Sequence, residues 1–590
     1  MRRPSLVPVA ALSALVAWQP MAASAMPVAK TATPIEHLIV IVGENHSFDN
    51  LFATYKPKHG QTVHNLLSEG IVNADGTPGP NFGKAAQWQA SDTDVYRLAP
   101  TKTQPYATLP QPNTTYANGQ PPGVPDQRFP ANLPNGPFQI TKYVPYDSYT
   151  GDPVHRFFQM WQQVDKGQHD LFTWVAQTVG IGGQNVPPTT PADTYQGGLQ
   201  MGFYNMHTGD VPYFKKLARE YAISDNYHQA IMGGTGANFI SIGTAGDAAF
   251  YNTNGTPTMP PANQIENPDP MPGTNNFYKQ DGYAGGSYVN CADPTQPGVS
   301  AIMNYLNTQP NKPFNGGNCA ADTYYLVNNY GPGYNPDGTP APLGPTHFTV
   351  PPQTMPMLAD AMTAKGVTWK WYSGGWNNGH PTNEYCSICD PFVFSKSVMT
   401  SAQRNNLQGM SQFQSDVKYG TLPAVSFVRP YESQAGHPAD SNPYHYEQFV
   451  KSVIDQVKSN KKLWAHTAIM ITFDEGGGYY DSGYIQPIDF FGDGTRIPMI
   501  VVSPYSRGGD VDHTYTDHAS IAKFIEANWG LSPLTKRSRD NLPNPVPTPG
   551  DPYVPRNKPS IGNMMTLFHF GHGDGHEDGH GDGHSNAQDD

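Results

Sequence analysis

Residues 37–50 read HLIVIVGENHSFDN, an apolar run followed at once by polar side chains. The run from Leu38 to Val42 is continuous instead of alternating, which is typical of a parallel strand buried on both faces of its sheet. Glu44 and Asn45 follow that strand directly, and open α/β sheets bind their ligands beyond the carboxyl ends of their strands. The stretch therefore predicts an α/β fold with its chemistry just after the first strand.

Four further apolar runs of strand length end in polar or glycine-containing clusters in the same way. They are Val367–Tyr372, Ala424–Val428, Thr467–Phe473 and Ile497–Val502. Helical patterns fall among these runs, at Met355–Ala364, Tyr446–Val457 and Ile521–Trp529. Together with the first run, which we place at His37–Val42, they predict a doubly wound, mostly parallel sheet sandwiched by helices.

One long segment interrupts this pattern. Between about residues 250 and 352 the chain is rich in Asn, Pro, Gly and Tyr, and neither strand nor helix period is visible. We expect a large loop-rich insertion, in the form of a cap or otherwise, within a single domain of residues 26–570. The final residues, 571–590, repeat His, Gly and Asp and are expected to be disordered.

The N-terminus has the three parts of a secretory signal peptide. Arg2 and Arg3 supply the positive start, a short apolar stretch follows, and the sequence A-S-A ends at Ala25. We expect residues 1–25 to be removed and the mature protein to be exported, to the periplasm or to the outside of the cell. The arginine pair leaves general and twin-arginine export open. No later stretch is long and apolar enough to predict a transmembrane segment.

The four cysteines fit an oxidising compartment. They allow three disulfide pairings, of which we favour the local one, Cys291 with Cys319 and Cys386 with Cys389. A zinc site at the Cys-x-x-Cys sequence is the alternative, but two cysteine pairs on distant loops fit disulfides better.

The composition is acidic, with a formal net charge of −13. Proteins that bind nucleic acids rely on basic patches to contact phosphates. We therefore expect no nucleic-acid partner.

Two predicted strand ends carry acidic residues that could share a metal ion. Glu44 and Asn45 follow the first run, and Asp474 and Glu475 follow the run Thr467–Phe473, with three glycines behind them. Carboxylates gathered in one crevice, with no Lys or Arg nearby in sequence, repel one another unless a cation lies between them. We predict a divalent metal ion there, against the alternative that Glu44 is solvated and that Asn45 or Ser47 caps a helix.

Thr235 is a candidate nucleophile because it lies in the sequence Gly233-Gly234-Thr235-Gly236. Flanking glycines expose the hydroxyl and leave backbone N–H groups free to hold an anion. A threonine hydroxyl attacks well only when a metal ion or a base lowers its pKa. An ordinary turn is the alternative.

Four sequence motifs occur in a fixed order along the chain. They are GENHSFDNLF (43–52), DNYHQAIMGGTGAN (225–238), DEGGGYYD (474–481) and GTRIPMIVVSPYSRGGDVDHT (494–514). They resemble E-N-R-S-F-D, D-N-Y with G-P-T-x-P-N-R, D-E-x-G-G-x-Y-D-H, and G-x-R-V-P with I-S-P and a late His. These are motifs of the bacterial phospholipase C and acid phosphatase phosphoesterase family, within the alkaline-phosphatase-like superfamily. The resemblance runs from about Ile35 to Phe570 and implies hydrolysis of phosphate esters with a divalent metal ion and a covalent phospho-enzyme.

The resemblance assigns positions of the family's site to single residues of this chain. The implied metal ligands are Glu44, Asn45, Thr235, Asp474 and Glu475. The implied nucleophile is Thr235, and its implied catalytic partners are Asn238, His155 and His437.

The chain departs from the family pattern around the substrate. His46 stands where the family has Arg, and Gly436 stands where the family has Glu before His-Pro. The other departures are Ala237, Phe239 and Ser482. The metal and nucleophile positions are kept, so the resemblance supports the reaction class better than the substrate.

His513 and Arg496 are further candidates for phosphate or substrate contacts. His513 holds the position of the family's late histidine, and a structural histidine is the alternative. Arg496 either clamps a phosphate with two N–H groups or forms an ion pair with a loop carboxylate.

We expect a secreted phosphoesterase that acts through a phospho-threonine, with small phosphomonoesters favoured as substrates. Phospholipase C activity on phosphocholine-type lipid head groups is the alternative, because the family contains both activities. The aromatic segments Tyr324–Tyr334 and Trp369–Trp376 could form a choline cage. A rival of another class is an inactive exported metal-binding protein of the same fold.

Overall fold

The computed structural model describes residues 30–91, 95–179, 196–269, 285–310, 314–506, 508–556 and 558–571. The expected signal peptide, residues 1–25, and residues 572–590 of the expected tail lie outside these ranges. Within them, no helix combines the length and the apolar character needed to cross a membrane. The boundaries assigned to the domain and the tail remain predictions.

A central sheet of eight strands organises the described chain. In chain order its strands are β1 (His37–Gly43), β2 (Ala222–Ser224), β3 (Trp369–Ser373), β4 (Leu407–Gly409), β5 (Val425–Arg429), β6 (Thr467–Phe473), β7 (Met499–Val502) and β8 (Val511–Asp512). Across the sheet they lie in the order β4-β3-β5-β1-β6-β7-β2-β8. Neighbouring strands are parallel except for β7, which runs antiparallel to both β6 and β2.

The helices pack on both faces of this sheet. In chain order the described α-helices are α1 (Phe48–Phe52), α2 (Phe157–Val164), α3 (Phe172–Thr178), α4 (Pro212–Glu220), α5 (Thr235–Thr244), α6 (Val299–Thr308), α7 (Asn315–Asn318), α8 (Leu358–Lys365), α9 (Lys396–Met399), α10 (Met410–Tyr419), α11 (Pro443–Ser459), α12 (Lys461–Trp464) and α13 (Ala519–Trp529).

The side chains of β1 show why its sequence is apolar throughout. Ile39 and Ile41 share one core with residues of α4, α10 and α11. Leu38, Val40 and Val42 share a second core with residues of α5, α8 and α13. Because alternate side chains of a strand point to opposite faces, β1 is covered on both, and every position of it must be apolar.

All five predicted strands are present, each within two residues of its expected ends. The sheet is mostly parallel, as predicted, and the exception among the predicted runs is Ile497–Val502, which forms the antiparallel β7. The chain between β6 and β7 contains no helix, and a parallel return needs a long, usually helical, crossover. A continuous apolar run indicates that a strand is buried on both faces of the sheet. It does not indicate whether the strand is parallel or antiparallel to its neighbours. The unpredicted strands β2, β4 and β8 are only two or three residues long, too short to show a period.

Long loops joined by short strand pairs connect these elements. In the insertion, Tyr288–Val289 pairs with Tyr325–Leu326, and Gly331–Pro332 pairs with Thr349–Val350. Elsewhere the pairs are Trp88–Ala90 with Lys102–Pro105, Phe138–Gln139 with Gly202–Phe203, Tyr227–His228 with Thr516–Asp517, and Pro547–Thr548 with Asp551–Pro555.

Candidate active site

The ends of β1 and β6 bring the two acidic motifs together. These strands are parallel neighbours, and Gly43 lies opposite Phe473 in their register. The following residues stay in contact, since Asp474 N donates to Gly43 O at 3.0 Å and His46 N donates to Glu475 O at 3.1 Å. We name the four polar residues gathered in this way the acidic edge. They are Glu44, Asn45, Asp474 and Glu475, and all are buried.

Asn45 has a buried side chain whose hydrogen-bonding groups are unused. Its amide oxygen and nitrogen have no hydrogen-bond partner among the described residues, and the side chain is inaccessible to solvent. A buried polar group left in that state costs about 1–3 kcal/mol, so Asn45 points to a ligand. Asn45 has a φ of 66°, and Gly477 has a φ of 59°. A Cβ at Gly477 would lie 2.5 Å from the Asn45 carbonyl oxygen, so glycine is required there.

The Asp474 carboxylate joins the acidic edge to the predicted nucleophile. Its Oδ1 accepts hydrogen bonds from the backbone N–H groups of Asn45 (3.1 Å) and Glu475 (2.7 Å). The Thr235 hydroxyl lies beside this carboxylate and favours its charged form, which acts to lower the pKa of Asp474. Burial, and after it the charge of Glu44, nevertheless raise the pKa of Asp474 to about 7. The negative charge at this edge is therefore poorly balanced by protein groups, and a divalent cation would offset it.

Arg429 is a cation at this edge that the sequence analysis missed. It ends β5, the other neighbour of β1, and its side chain is buried. Its Nη2 contacts Glu44 Oε1 and donates to Glu432 Oε2 at 2.7 Å. No Lys or Arg lies near the acidic residues in sequence, but in the fold Arg429 reaches Glu44 from 385 residues away. The available signal was that Arg429 directly follows the apolar run Ala424–Val428.

Both predicted disulfides are present, so the local pairing is confirmed. Cys291–Cys319 lies in the insertion, and Cys386–Cys389 lies beside the acidic edge. The Sγ atom of Cys389 is 3.2 Å from Glu44 Oε1.

Thr235 is the first residue of α5, and Asn238 holds the turn that precedes it. Asn238 Oδ1 accepts a hydrogen bond from Ile231 N at 3.0 Å. Its Nδ2 donates to the carbonyl oxygens of Ile231 at 3.0 Å and Gly233 at 2.9 Å. Because both ends of this buried amide are bonded to the backbone, Asn238 shapes the turn. The structure thus gives it a positioning role in place of the predicted catalytic contact.

The insertion packs directly against the glycine turn. Gly236 N donates to Asn329 Oδ1 at 2.8 Å. A Cβ at Gly233 would lie 1.8 Å from the Val327 carbonyl oxygen, so only glycine fits there. The expectation that this turn leaves its N–H groups free for an anion is therefore wrong at Gly236.

The adjacent Asn328 supports the segment that carries His155. Its Oδ1 accepts a hydrogen bond from Phe157 N at 2.9 Å, and Phe157 begins α2. His155 lies two residues before that helix. Two neighbouring asparagines of the insertion thus hold the segments of the predicted nucleophile and of one predicted histidine, although the insertion showed no pattern in the sequence.

His155 and His437 approach the carboxylates of the acidic edge. His155 Nε2 lies 3.9 Å from Glu475 Oε1, and its Nδ1 lies 2.7 Å from the Pro153 carbonyl oxygen. His437 Nε2 lies 4.0 Å from Glu44 Oε2. The two imidazole ring centroids are 6.4 Å apart. The structure therefore places both predicted histidines at the same site.

Asp152 is a further site residue that the sequence analysis did not select. Its Oδ1 lies 3.8 Å from His155 Nδ1. Burial alone would lower the pKa of His437, but the carboxylates of Asp152 and Glu44 raise that pKa to about 10. His437 is then a cation near neutral pH, suited to contact a negatively charged oxygen. The sequence signal for Asp152 was its position three residues before His155.

His513 and Arg496 lie in other interactions. His513 Nδ1 is 2.8 Å from Asp225 Oδ1. This contact agrees with the alternative that His513 is a structural histidine. Arg496 is fully buried, with Nε 2.8 Å from Asp481 Oδ2 and Nη2 3.2 Å from Asp49 Oδ2. The structure thus shows the ion-pair alternative for Arg496, and we assign neither residue to the phosphate.

We predict that Asn329→Ala slows turnover of a phosphate ester without unfolding the protein. The substitution leaves the buried Gly236 N–H without an acceptor and loosens the turn that presents Thr235. Misplacement of a reacting group by about 1 Å costs up to roughly 100-fold in rate, so we expect kcat to fall at least about tenfold. Steady-state kinetics and a thermal melt measure the two effects.

The matched control is Asn335→Ala, an exposed turn residue of the same insertion whose amide bonds to the Thr339 hydroxyl. This variant should keep the parental kcat. Parental kcat in Asn329→Ala as well would contradict the positioning role.

Comparison with known proteins identifies the family of this chain. The hemolytic phospholipase C of Pseudomonas aeruginosa is 26% identical over 241 residues, 33% of this chain and 32% of that protein. Phospholipase C B of Mycobacterium tuberculosis is 28% identical over 285 residues, 40% of this chain and 48% of that protein. The acid phosphatase of Aspergillus fumigatus is 26% identical over 200 residues, 32% of this chain and 42% of that protein. Each match spans less than half of the relative. The model of the phosphoesterase family matches residues 35–532, and the chain therefore belongs to the phosphoesterase family.

Proposed function

We propose that the protein is an exported, metal-dependent phosphoesterase that transfers a phosphoryl group to Thr235 and then to water. The observation that carries this proposal is the position of Thr235, the first residue of α5, whose hydroxyl lies beside the buried Asp474 carboxylate and favours its charged form. A hydroxyl beside a carboxylate in a charged, buried site is a recurring arrangement for an activated nucleophile. Membership of the phosphoesterase family supports the reaction class.

The proposed metal ligands are the acidic edge together with the Thr235 hydroxyl. The buried Asn45 amide, which has no partner among the described residues, and the unbalanced carboxylate of Asp474 both fit a cation. Oxygen donors of this kind suit a hard or borderline divalent ion. Such an ion, when bound, would neutralise the carboxylates and lower the pKa of the Thr235 hydroxyl.

In the proposed first step, Thr235 Oγ1 attacks phosphorus in line with the leaving oxygen. A bond from Oγ1 to phosphorus forms while the bond to the leaving oxygen breaks. The hydroxyl proton passes toward the neighbouring Asp474 carboxylate, whose Oδ2 has no hydrogen-bond partner among the described residues. Water then cleaves the phospho-threonine with the same in-line geometry, which releases phosphate and restores the hydroxyl.

His437 and His155 are the proposed proton donors to the leaving oxygen. In each ring Nδ1 lies against a backbone carbonyl oxygen, that of Pro438 for His437 and that of Pro153 for His155. The hydrogen on Nδ1 is thereby engaged, and Nε2 is the atom that faces the acidic edge. The charge on His437 makes its Nε2–H the favoured donor, with His155 the second group at the site.

Phosphomonoesters are the substrates that we favour. A choline cage needs aromatic faces open to the ligand. Trp369, Trp371 and Tyr372 are instead buried in the two cores of the sheet. Tyr330 is buried against Tyr288 in the insertion. Phospholipase C activity is the second candidate, because two of the three relatives described above carry that name.

We predict that Thr235→Ala reduces kcat by about 10³-fold or more, because only binding and the remaining charges would still act. Thr235→Ser should keep a substantial part of kcat, since the hydroxyl is retained. Mass spectrometry of acid-quenched enzyme should find phosphate on residue 235 in the parent. The control is Thr244→Ala at the far end of α5. Near-parental kcat in Thr235→Ala would assign the attack to water instead.

We predict that Asp474→Asn loses tightly bound metal and activity together while the protein stays folded. The substitution removes one negative charge from the buried site, and a divalent cation there would bind less tightly. Elemental analysis after dialysis measures the metal. The control is Asp455→Asn, an exposed carboxylate of α11. Both variants carry the His-rich tail, so any metal that the tail binds contributes equally to the two measurements and does not affect their difference. Equal occupancy in the two variants would rule out Asp474 as a ligand.

We predict a higher kcat/KM for p-nitrophenyl phosphate than for p-nitrophenylphosphorylcholine under matched conditions. The expected preference follows from the burial of Trp369, Trp371, Tyr372 and Tyr330, which takes these rings out of reach of a choline group. A clear preference for the choline diester would make the protein a phospholipase C. Full metal occupancy with turnover of neither ester would favour the inactive metal-binding protein.

A further inference from the structure

A disulfide that the proposed reaction does not use lies against a proposed metal ligand. Cys386 and Cys389 are three residues apart, and Cys389 Sγ is 3.2 Å from Glu44 Oε1. In the chain-entropy account, a cross-link stabilises more as the loop that it closes grows longer. The Cys291–Cys319 bond spans 28 residues, so the short bond adds much less through the cross-link itself. Its position therefore calls for another explanation.

Three ligand atoms meet at this point. One sulfur atom from each of Cys386 and Cys389, and one carboxylate oxygen of Glu44, all lie within 4.8 Å of one another. Cys389 and Glu44 are buried, whereas Cys386 is partly exposed, which gives a reductant access to the bond. Two thiolates and a carboxylate are good ligands for cations of the zinc group.

We propose that reduction turns Cys386 and Cys389 into a second metal site, completed by Glu44, for a thiophilic divalent cation such as Zn²⁺ or Cd²⁺. Filling this site inhibits the enzyme. The inhibition rests on the proposed function, in which Glu44 is a ligand at the acidic edge. A cation held by the two thiolates competes with Arg429 for Glu44 Oε1 and draws the carboxylate away from Asp474.

Formation of the site requires a two-electron reduction. A trialkylphosphine such as TCEP breaks the S–S bond, and one water molecule supplies the oxygen of the phosphine oxide and the protons of the two thiols. Binding of the cation then releases those two protons to solvent. In the disulfide form the sulfur atoms carry no negative charge, so they do not compete for the cation and Glu44 remains with the acidic edge.

The test titrates the full chain with Cd²⁺ before and after treatment with TCEP. Absorbance from thiolate-to-cadmium charge transfer reports the new site, and hydrolysis of p-nitrophenyl phosphate reports activity in the same samples. We expect the reduced chain to bind one thiolate-held Cd²⁺ at the Cys386–Cys389 pair. Its turnover should be at least tenfold below that of the oxidised chain at the same Cd²⁺ concentration.

Two double variants separate the cysteine pairs. The variant Cys386→Ser with Cys389→Ser should lose this charge-transfer signal, and TCEP should not change its turnover in Cd²⁺. The variant Cys291→Ser with Cys319→Ser keeps only the pair beside Glu44 and should behave as the parent does. The tail is present in every chain and offers imidazole and carboxylate groups but no thiolate.

A reduced parent with no more signal than the Cys386→Ser/Cys389→Ser variant would overturn the proposal. A full signal with unchanged turnover would overturn it too, because Glu44 would not have been withdrawn. Failure of the proposed function gives a different result, namely near-parental turnover in Thr235→Ala. The charge-transfer signal does not depend on Thr235 and tests the thiolate site in either case.

Discussion

The concentration of negative charge at the ends of β1 and β6 is the constraint on which the rest of the site depends. Because β1 and β6 are parallel neighbours, Glu44, Asp474 and Glu475 lie together at one edge of the sheet. Their burial removes the water that would screen their charges. Two like charges 4 Å apart repel by about 4 kcal/mol at an effective dielectric constant of ~20. Arg429 relieves this repulsion on the Glu44 side. Among the described residues, the Asp474 carboxylate accepts hydrogen bonds from backbone N–H groups and forms no ion pair. This asymmetry is what makes a divalent cation the natural complement of the site.

The sequence was most informative where local chemistry and local structure coincide. A strand buried on both faces must be apolar throughout, so β1, β3, β5, β6 and β7 could be located without a structure. The acidic edge could be predicted too, because each of its halves directly follows such a strand. Both disulfides match the local pairing, which the sequence analysis favoured among the three that four cysteines allow.

What the sequence did not reveal depends on contacts between distant segments. Arg429 reaches Glu44 only because β5 and β1 become neighbours. Asn328 and Asn329 lie in a stretch without any period, and their role arises from packing against α2 and α5. The direction of β7 depends on how its connection runs, which hydrophobicity does not encode. Asn238 and Arg496 lie within recognisable motifs, but their polar groups already have partners. Asn238 bonds to the backbone of its turn, and Arg496 bonds to Asp481 and Asp49.

The attachment of the insertion through Asn328 and Asn329 limits how this enzyme can be simplified or rebuilt. A minimal version that deletes the loop-rich segment would remove the acceptors for the first N–H of α2 and for the N–H after Thr235. Helix α5 would keep Phe239 and Ile242 in the core of the sheet, but α2 would also lose the apolar side chains of the insertion that it packs against. Such a trimmed protein would present its hydroxyl and its imidazole out of register. Grafting a different segment into this position would succeed catalytically only if two side-chain oxygens returned to the same two N–H groups.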